Sequence, residues 1–182
     1  TAMLEERDKL RRPFRALDYE RALARAWVAA GQGAVSEAVK VVVAAAEKAR
    51  AVGQFAAEVL CLQTATQFGD STGVSRLREL EAIVEGPRAG LAARFAVGLR
   101  DGDAAELSLV SEEFERMGDL VAAVDASAQA ALVHRRLGRR GSALACSERA
   151  GALAQECGGL STPALQHAGE PLPLTERERE IV

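Results

Sequence analysis

Glycine recurs at nearly regular intervals along this chain of 182 residues, and the segments between the glycines carry apolar residues at helical spacing. In the segment that ends at Gly53, for example, Val42, Ala45 and Ala49 are three or four residues apart and would share one face of a helix. Strands would instead alternate apolar and polar residues. The sequence therefore predicts an all-α fold. Eight helices are expected, near residues 14–30, 35–52, 54–68, 73–85, 88–100, 103–117, 119–137 and 141–157.

The spacing of the glycines indicates a repeat of two helices. The even-numbered predicted helices end, 32 to 40 residues apart, at Gly53, Gly86, Gly118 and Gly158. The odd-numbered ones end, 33 to 38 residues apart, at Gly31, Gly69, Gly102 and Gly138. Tetratricopeptide repeats have a period of about 34 residues, and their antiparallel helix pairs stack into a superhelix. We therefore predict antiparallel helix pairs stacked as a tetratricopeptide-like (TPR-like) α-solenoid over residues 1–157.

The amino-acid composition suits closely packed helices but departs from the repeat consensus. About a fifth of the chain is alanine, whose methyl group lets helix axes approach each other closely, and only 4% is aromatic. The chain has one tryptophan, Trp27, and one tyrosine, Tyr19, and no proline closes each repeat as in the consensus. An irregular helical bundle with accidental glycine spacing is the structural alternative.

Composition and charge exclude several classes of function. The net charge of −3 argues against non-specific binding of nucleic acid through the bulk surface. The longest apolar run, 41–46, is far shorter than the ~20 residues that cross a bilayer, and the charged start is not a secretory signal. We therefore expect no membrane association and a cytoplasmic location.

No residues are spaced as an active site or a metal site. The three cysteines Cys61, Cys146 and Cys157 form no CxxC pair, and they lie in or at the end of predicted helices without a motif that supplies a base. The two histidines, His134 and His167, have no metal ligands at suitable spacing. We therefore predict no enzyme activity, no cofactor and no metal.

The pattern changes after the last predicted repeat. Residues 158–173 are rich in glycine and proline and lack apolar periodicity, so we interpret them as a linker that is mobile or loosely docked. Residues 174–182 restart a helix, in which Thr175 and Glu178 have the spacing of a capping box.

The last nine residues, Leu-Thr-Glu-Arg-Glu-Arg-Glu-Ile-Val, resemble the opening of the LuxR-type helix-turn-helix domain, which typically begins Leu-Thr-x-Arg-Glu-x-Glu-Val. Leu174, Thr175, Arg177 and Glu178 carry the start of the match. A helical array, a linker and this motif, in an alanine- and arginine-rich chain, resemble the layout of the ATP-dependent, MalT-like LuxR-family regulators that are common in actinobacteria. The resemblance implies that residues 174–182 are the truncated start of a DNA-binding domain.

In that family an ATPase module precedes the helical sensor domain and a DNA-binding domain follows it. No phosphate-binding Gly-x-x-x-x-Gly-Lys motif occurs in this chain, so the resemblance implies no ATPase activity here. The helix that would enter the major groove lies beyond Val182, so we expect no specific DNA binding by this chain alone. The ATPase and helix-turn-helix modules are the expected intramolecular partners in the parent protein.

Two groups of residues are candidates for interaction. Tyr19 and Trp27 are about two helical turns apart on one side of the first predicted helix, where they would stack on an effector or pack in the core. The densest basic cluster comprises Arg135, Arg136, Arg139 and Arg140. These arginines would contact phosphates near the DNA-binding domain or an acidic face of the ATPase module, or they would offset a helix dipole.

These observations favour a non-catalytic sensor and protein-interaction domain of a LuxR-family transcriptional regulator. Such a domain would couple the binding of an effector or a partner protein to the DNA-binding domain. The alternative is a stand-alone TPR-like interaction scaffold, in which residues 174–182 are one more capped helix. An all-helical enzyme is a third hypothesis, but no site supports it.

Overall fold

The computed structural model describes residues 18–170, which form nine α-helices and contain no β-strand. The prediction of an all-α chain is confirmed. The helices are α1 (Asp18–Gly31), α2 (Val35–Ala51), α3 (Phe55–Gln67), α4 (Val74–Glu81), α5 (Pro87–Asp101), α6 (Ala104–Met117), α7 (Leu120–Arg136), α8 (Arg140–Glu156) and α9 (Pro163–Gly169).

Most helices end at a glycine or within two residues of one, as the sequence predicts. Gly102 and Gly118 follow α5 and α6 with φ of 65° and 84°, a left-handed conformation that glycine adopts without strain from a Cβ atom. Gly31 differs from the prediction, because it belongs to α1 and the positive φ, 83°, occurs at Gly33. Helix α4 is shorter than predicted, because it ends at Glu81 and residues 82–84 form a turn.

Each helix packs against its neighbour in sequence, and several odd-numbered helices also contact one another. Helix α3 packs on α5, and α7 packs on α9. Two helices are central: eight consecutive residues of α3 and its end, 61–68, are buried, as are residues 122–131 of α7. Helix α3 also contacts α7, which a strict nearest-neighbour repeat array would not require.

Two clusters of larger side chains form most of the core around these helices. Phe95 of α5 meets Phe114 of α6 edge to face, with ring centroids 5.9 Å apart, among buried residues of α7. Leu77 and Leu80 of α4 are fully buried against α3 and α5. Alanine fills much of the remaining interface, as at Ala130, which is fully buried. The helices can therefore pack closely with few aromatic residues.

The predicted linker contains a docked helix. The sequence predicts an irregular, loosely held segment over 158–173, but residues 163–169 form α9, and Ala164 and Ala168 are buried against alanines of α7 and α8. The Thr162 hydroxyl caps α9 by accepting a hydrogen bond from the Leu165 amide at 3.2 Å. A helix of seven residues is too short to show apolar periodicity, so the sequence pattern did not reveal it.

The helix-turn-helix-like residues lie outside the described range. Leu174, Thr175, Arg177 and Glu178, with the rest of residues 171–182, are not among residues 18–170. The resemblance at the end of the chain therefore stays a prediction.

We predict that Ala45→Leu destabilises the protein by ~1–3 kcal/mol, whereas Ala44→Leu, on the next residue of α2, changes stability by less than about 0.5 kcal/mol. Ala45 is buried in the interface with α3, but Ala44 is exposed. Urea denaturation midpoints of the two variants provide the measurement. Equal midpoints would mean that Ala45 does not lie at a tightly packed interface.

Candidate binding cavity between helices α3 and α7

A row of polar residues runs along the buried helix α3. The side chains of this row are buried although they are polar: Gln63, Thr64, Thr66 and Gln67. Both threonines donate hydrogen bonds to carbonyl oxygens of their own helix four residues earlier, at 2.9 and 3.0 Å. The two glutamines reach other helices. Because an unpaired polar group is costly to bury, their partners determine how α3 sits in the fold.

Gln63 joins α3 to the start of α7. Its Nε2 donates to the Oδ2 atom of Asp119 at 3.0 Å, and its Oε1 accepts from Arg88 at 3.1 Å. Arg88, in the first turn of α5, also forms an ion pair with Asp119. Asp119 is the N-cap of α7 and accepts from the Ala122 amide at 3.2 Å. One carboxylate therefore caps a helix and binds side chains from two others.

Gln67 joins α3 to the middle of α7. Its Nε2 donates to the Oδ2 atom of Asp125 at 3.0 Å. The carboxyl of Asp125 is fully buried, and within residues 18–170 its Oδ1 atom has no hydrogen bond of good geometry. Loss of solvation raises the pKa of Asp125 to about 7, although the hydroxyl of Thr162 and the amide of Gln67 act to lower it. Thr162 is the residue that caps α9, so Asp125 borders both α3 and the start of α9.

A cavity of about 360 Å³ opens beside this polar row. Its apolar lining is Trp27, Leu60 and Val121, and its polar lining includes Gln63, Gln67, Arg88 and Asp119. Trp27 is half-buried and meets Phe68 edge to face, with ring centroids 4.7 Å apart. The volume lies at the lower end of the ~300–1,000 Å³ range that is typical of small-molecule sites.

Only one of the two predicted aromatic residues lies at this cavity. Tyr19 packs beside the cluster that contains Ala45, and its hydroxyl donates a hydrogen bond to Glu20 at 3.4 Å. Trp27 belongs to a different cluster, around Phe68. The structure therefore does not bring Tyr19 and Trp27 into one site, although they lie on the same helix.

The basic cluster is divided between two helix ends. Arg135 and Arg136 lie in the last turn of α7, whereas Arg139 is the N-cap of α8 and Arg140 is the first residue of α8. Cations offset the partial negative charge at the end of a helix, but they are unfavourable at its start. The dipole explanation therefore applies to the first two arginines alone.

Arg135 caps the C-terminal end of helix α9, so its guanidinium already has hydrogen-bond partners within the protein. Its guanidinium donates to the carbonyl oxygens of His167 at 2.8 Å and of Ala168 at 2.7 Å, and it also contacts that of Glu170. Ser147 of α8 adds a hydrogen bond to the Ala168 carbonyl at 3.0 Å. These donors satisfy carbonyl groups that the end of a helix leaves without partners.

A second cavity, of about 480 Å³, lies where α3, α5, α7 and α9 end. Its lining includes Arg100, Arg135, Arg136 and His167 and no carboxylate. The C-terminal end of each of these four helices carries a partial negative charge of about half a unit, which attracts cations. This charge explains why three arginines lie here without a bound anion. Arg100 is also paired with Asp101 at 2.7 Å.

No group of three or more His, Cys, Asp or Glu side chains within residues 18–170 is arranged to hold a metal ion. Burial raises the pKa of the Cys61 thiol to about 11, which leaves very little nucleophilic thiolate at neutral pH. No helix between residues 18 and 170 has the length and apolar character needed to cross a membrane.

Comparisons with family models, with curated proteins and with solved structures found no match for this chain. The assignment of the site therefore depends on its own residues and their geometry.

The polar half of the site was missed by the sequence analysis. Gln63 and Gln67 are four residues apart in a predicted helix, and this spacing places them on one face of it. That signal is visible in the sequence. Their partners Asp119 and Asp125, however, lie 56 and 58 residues further along, and no local pattern relates them.

We predict that the ionisation of Asp125 lowers stability as the pH rises from about 4 to about 7, and that Asp125→Asn removes this contribution to the pH dependence. The pKa of Asp125 is raised from 3.8 to about 7 in the folded protein. Its contribution to stability is therefore complete below the unfolded pKa and is lost as the pH rises through the folded one. Asparagine keeps an acceptor for Gln67 but does not ionise. Urea midpoints of both proteins between pH 4 and 8 test this, and an unchanged slope in the variant would contradict it.

We further predict that Arg135→Gln loosens helix α9 while the rest of the fold stays intact. The variant loses the charged donor to the last carbonyls of α9, and a hydrogen bond to a charged group contributes ~1.5–3 kcal/mol. Amide hydrogen exchange in residues 163–169 should accelerate about tenfold or more. Arg139→Gln, an exposed arginine four residues away, is the matched control and should leave the exchange unchanged. Equal exchange in both variants would show that Arg135 does not hold α9.

Proposed function

We propose that this chain is a non-catalytic sensor and interaction domain of a bacterial LuxR-family transcriptional regulator, in which binding of an effector or partner is coupled to a DNA-binding domain that follows residue 174. We also propose that the helix pairs stack as in TPR-like arrays and that the regulator is located in the cytoplasm. The ATPase module of the parent protein would be its other intramolecular partner.

The observation that carries the proposal is the connection from the cavity to α9. Gln67 lines the 360 Å³ cavity and donates to Asp125, and Asp125 borders Thr162, the capping residue of α9. Helix α9 is the last described element before the residues that resemble a helix-turn-helix start. A ligand that changes the position of the Gln67 amide would therefore alter the contacts at the start of α9.

The proposed coupling requires that helix α9 changes position when a ligand binds. It has seven residues, and its buried side chains are Pro163, Ala164 and Ala168, which remove little apolar area from water. Polar contacts at its two ends, from Thr162 and from Arg135, therefore contribute a large part of its docking. A helix held by few contacts has a small free energy of docking. A regulatory element needs a small free-energy difference of this kind between its docked and undocked states.

The direction of the helices supports the TPR-like stacking. The ends of α3, α5, α7 and α9 all border the 480 Å³ cavity, so these helices end on the same side of the protein. That arrangement is expected when helix pairs repeat along an axis. The direct contact between α3 and α7 means that the array would have to curve tightly.

We predict that the reading frame continues beyond Val182 into the turn and second helix of a helix-turn-helix domain. The full-length protein should then select a specific DNA sequence from a random pool, and residues 1–182 alone should not separate that sequence from scrambled competitor. Specific binding typically exceeds non-specific binding by ~10³-fold or more. Electrophoretic titration of both proteins at the same salt concentration provides the measurement.

The variant Arg135→Gln tests the coupling in the full-length protein. Its affinity for the selected DNA should change by at least about threefold, while Arg78→Gln, at an exposed arginine of α4 outside the basic cluster, should leave it unchanged. A stop codon directly after Val182 would contradict the regulator and favour a stand-alone interaction scaffold. An unchanged DNA affinity in Arg135→Gln would contradict the coupling through α9.

A further inference from the structure

One polar atom in the 360 Å³ cavity has no partner. Gln67 is only 4% exposed, and its Nε2 is held by Asp125 at 3.0 Å. Because the amide group is planar, this hydrogen bond also determines the position of Oε1. That oxygen accepts no hydrogen bond from any residue between 18 and 170, while the side chain lines the cavity. Oε1 is not one of the fully enclosed side-chain atoms that lack a partner, so it is open at the cavity wall and can accept from an N–H or O–H donor outside the chain, whether water or a ligand.

The other polar groups of the cavity are largely occupied. Gln63 uses both ends of its amide, on Asp119 and on Arg88, and Thr64 donates to the Leu60 carbonyl at 2.9 Å. Arg88 keeps guanidinium N–H groups in excess of its contacts through Nη1 with Gln63 and Asp119. The cavity therefore offers one fixed acceptor, Gln67 Oε1, and a donor, Arg88.

The charges of the cavity cancel. Arg88 is paired with Asp119, and no other ionisable side chain lines this cavity. A charged ligand would lose its hydration without gaining an opposite charge, so an uncharged ligand fits better. The remaining walls are the indole of Trp27 and the side chains of Leu60 and Val121, which suit a flat, weakly polar ring.

We propose that this cavity binds a small, uncharged, planar heterocycle that carries an N–H donor beside a hydrogen-bond acceptor, the chemistry of a nucleobase or nucleoside. The N–H group donates to Gln67 Oε1, the acceptor takes a hydrogen bond from Arg88, and the ring lies against Trp27. This inference rests on the proposed sensor function, because it names the ligand class of the same cavity.

The test uses Trp27 as a local probe, because it is the sole tryptophan of the chain. Adenosine and uridine are titrated while tryptophan fluorescence is recorded, and isothermal calorimetry provides the dissociation constants. N6,N6-dimethyladenosine and 3-methyluridine are the matched probes, since they keep the ring and the sugar but lack the base N–H donor. We expect at least one nucleoside to change the fluorescence, and its methylated partner to bind at least about tenfold more weakly.

Two variants connect the binding to the named residues. Gln67→Met keeps the length of the side chain but removes the amide, and Arg88→Gln removes the guanidinium. Both should weaken binding of that nucleoside by about tenfold or more in calorimetry, with far-UV circular dichroism confirming that the variants are folded. Arg78→Gln, at an exposed arginine of α4 outside the cavity, is the control and should bind as the parent chain does.

Three results would overturn the proposal: no fluorescence change with either nucleoside at millimolar concentration, equal binding of the methylated probes, or unchanged affinity in a folded Gln67→Met protein. None of these depends on DNA. The proposed regulator instead fails if the full-length protein selects no DNA or if Arg135→Gln leaves its affinity unchanged, so the two failures are distinguishable.

Discussion

The contact between helices α3 and α7 is the constraint on which the rest of this structure depends. Both helices are buried over most of their length, but the buried alanines of α7 pack against α5, α6, α8 and α9 rather than against α3, so polar side chains make the contact between α3 and α7. Gln63 and Gln67 then reach Asp119 and Asp125 at 3.0 Å each. These hydrogen bonds are specific in distance and direction, whereas the alanine packing alone would tolerate other alignments of the helices.

The contact between α3 and α7 also connects the 360 Å³ cavity to helix α9, the last described helix of the array. Asp125 is bonded to Gln67 on one side and borders Thr162 on the other, so a single buried carboxyl lies between a possible ligand and α9. Burial raises its pKa to about 7, so its protonation also changes near neutral pH. The cavity proposed to bind a ligand and the helix proposed to respond to it are therefore only two side chains apart.

The arginines illustrate how a charge cluster in sequence can serve several structural roles. Arg135 caps α9 through its carbonyl oxygens, and Arg139 stands at the start of α8. Four consecutive odd-numbered helices end around one cavity, and cations are favourable at such ends. The number of basic residues alone therefore indicated a binding surface, whereas local electrostatics at the end of α7 explains two of the four, Arg135 and Arg136.

The sequence by itself determined the helical class, most helix ends and the buried faces, because these features depend on residues three or four apart and on glycine at the turns. It predicted the burial of Ala45, and it identified Trp27 as a candidate for ligand contact. It missed α9, which is too short for a periodic pattern. The pairing of Gln67 with Asp125, 58 residues apart, and of Arg135 with the carbonyls of α9 was decided by tertiary structure alone. A buried polar group must find a partner, but only the packing of the helices determines which distant residue it is.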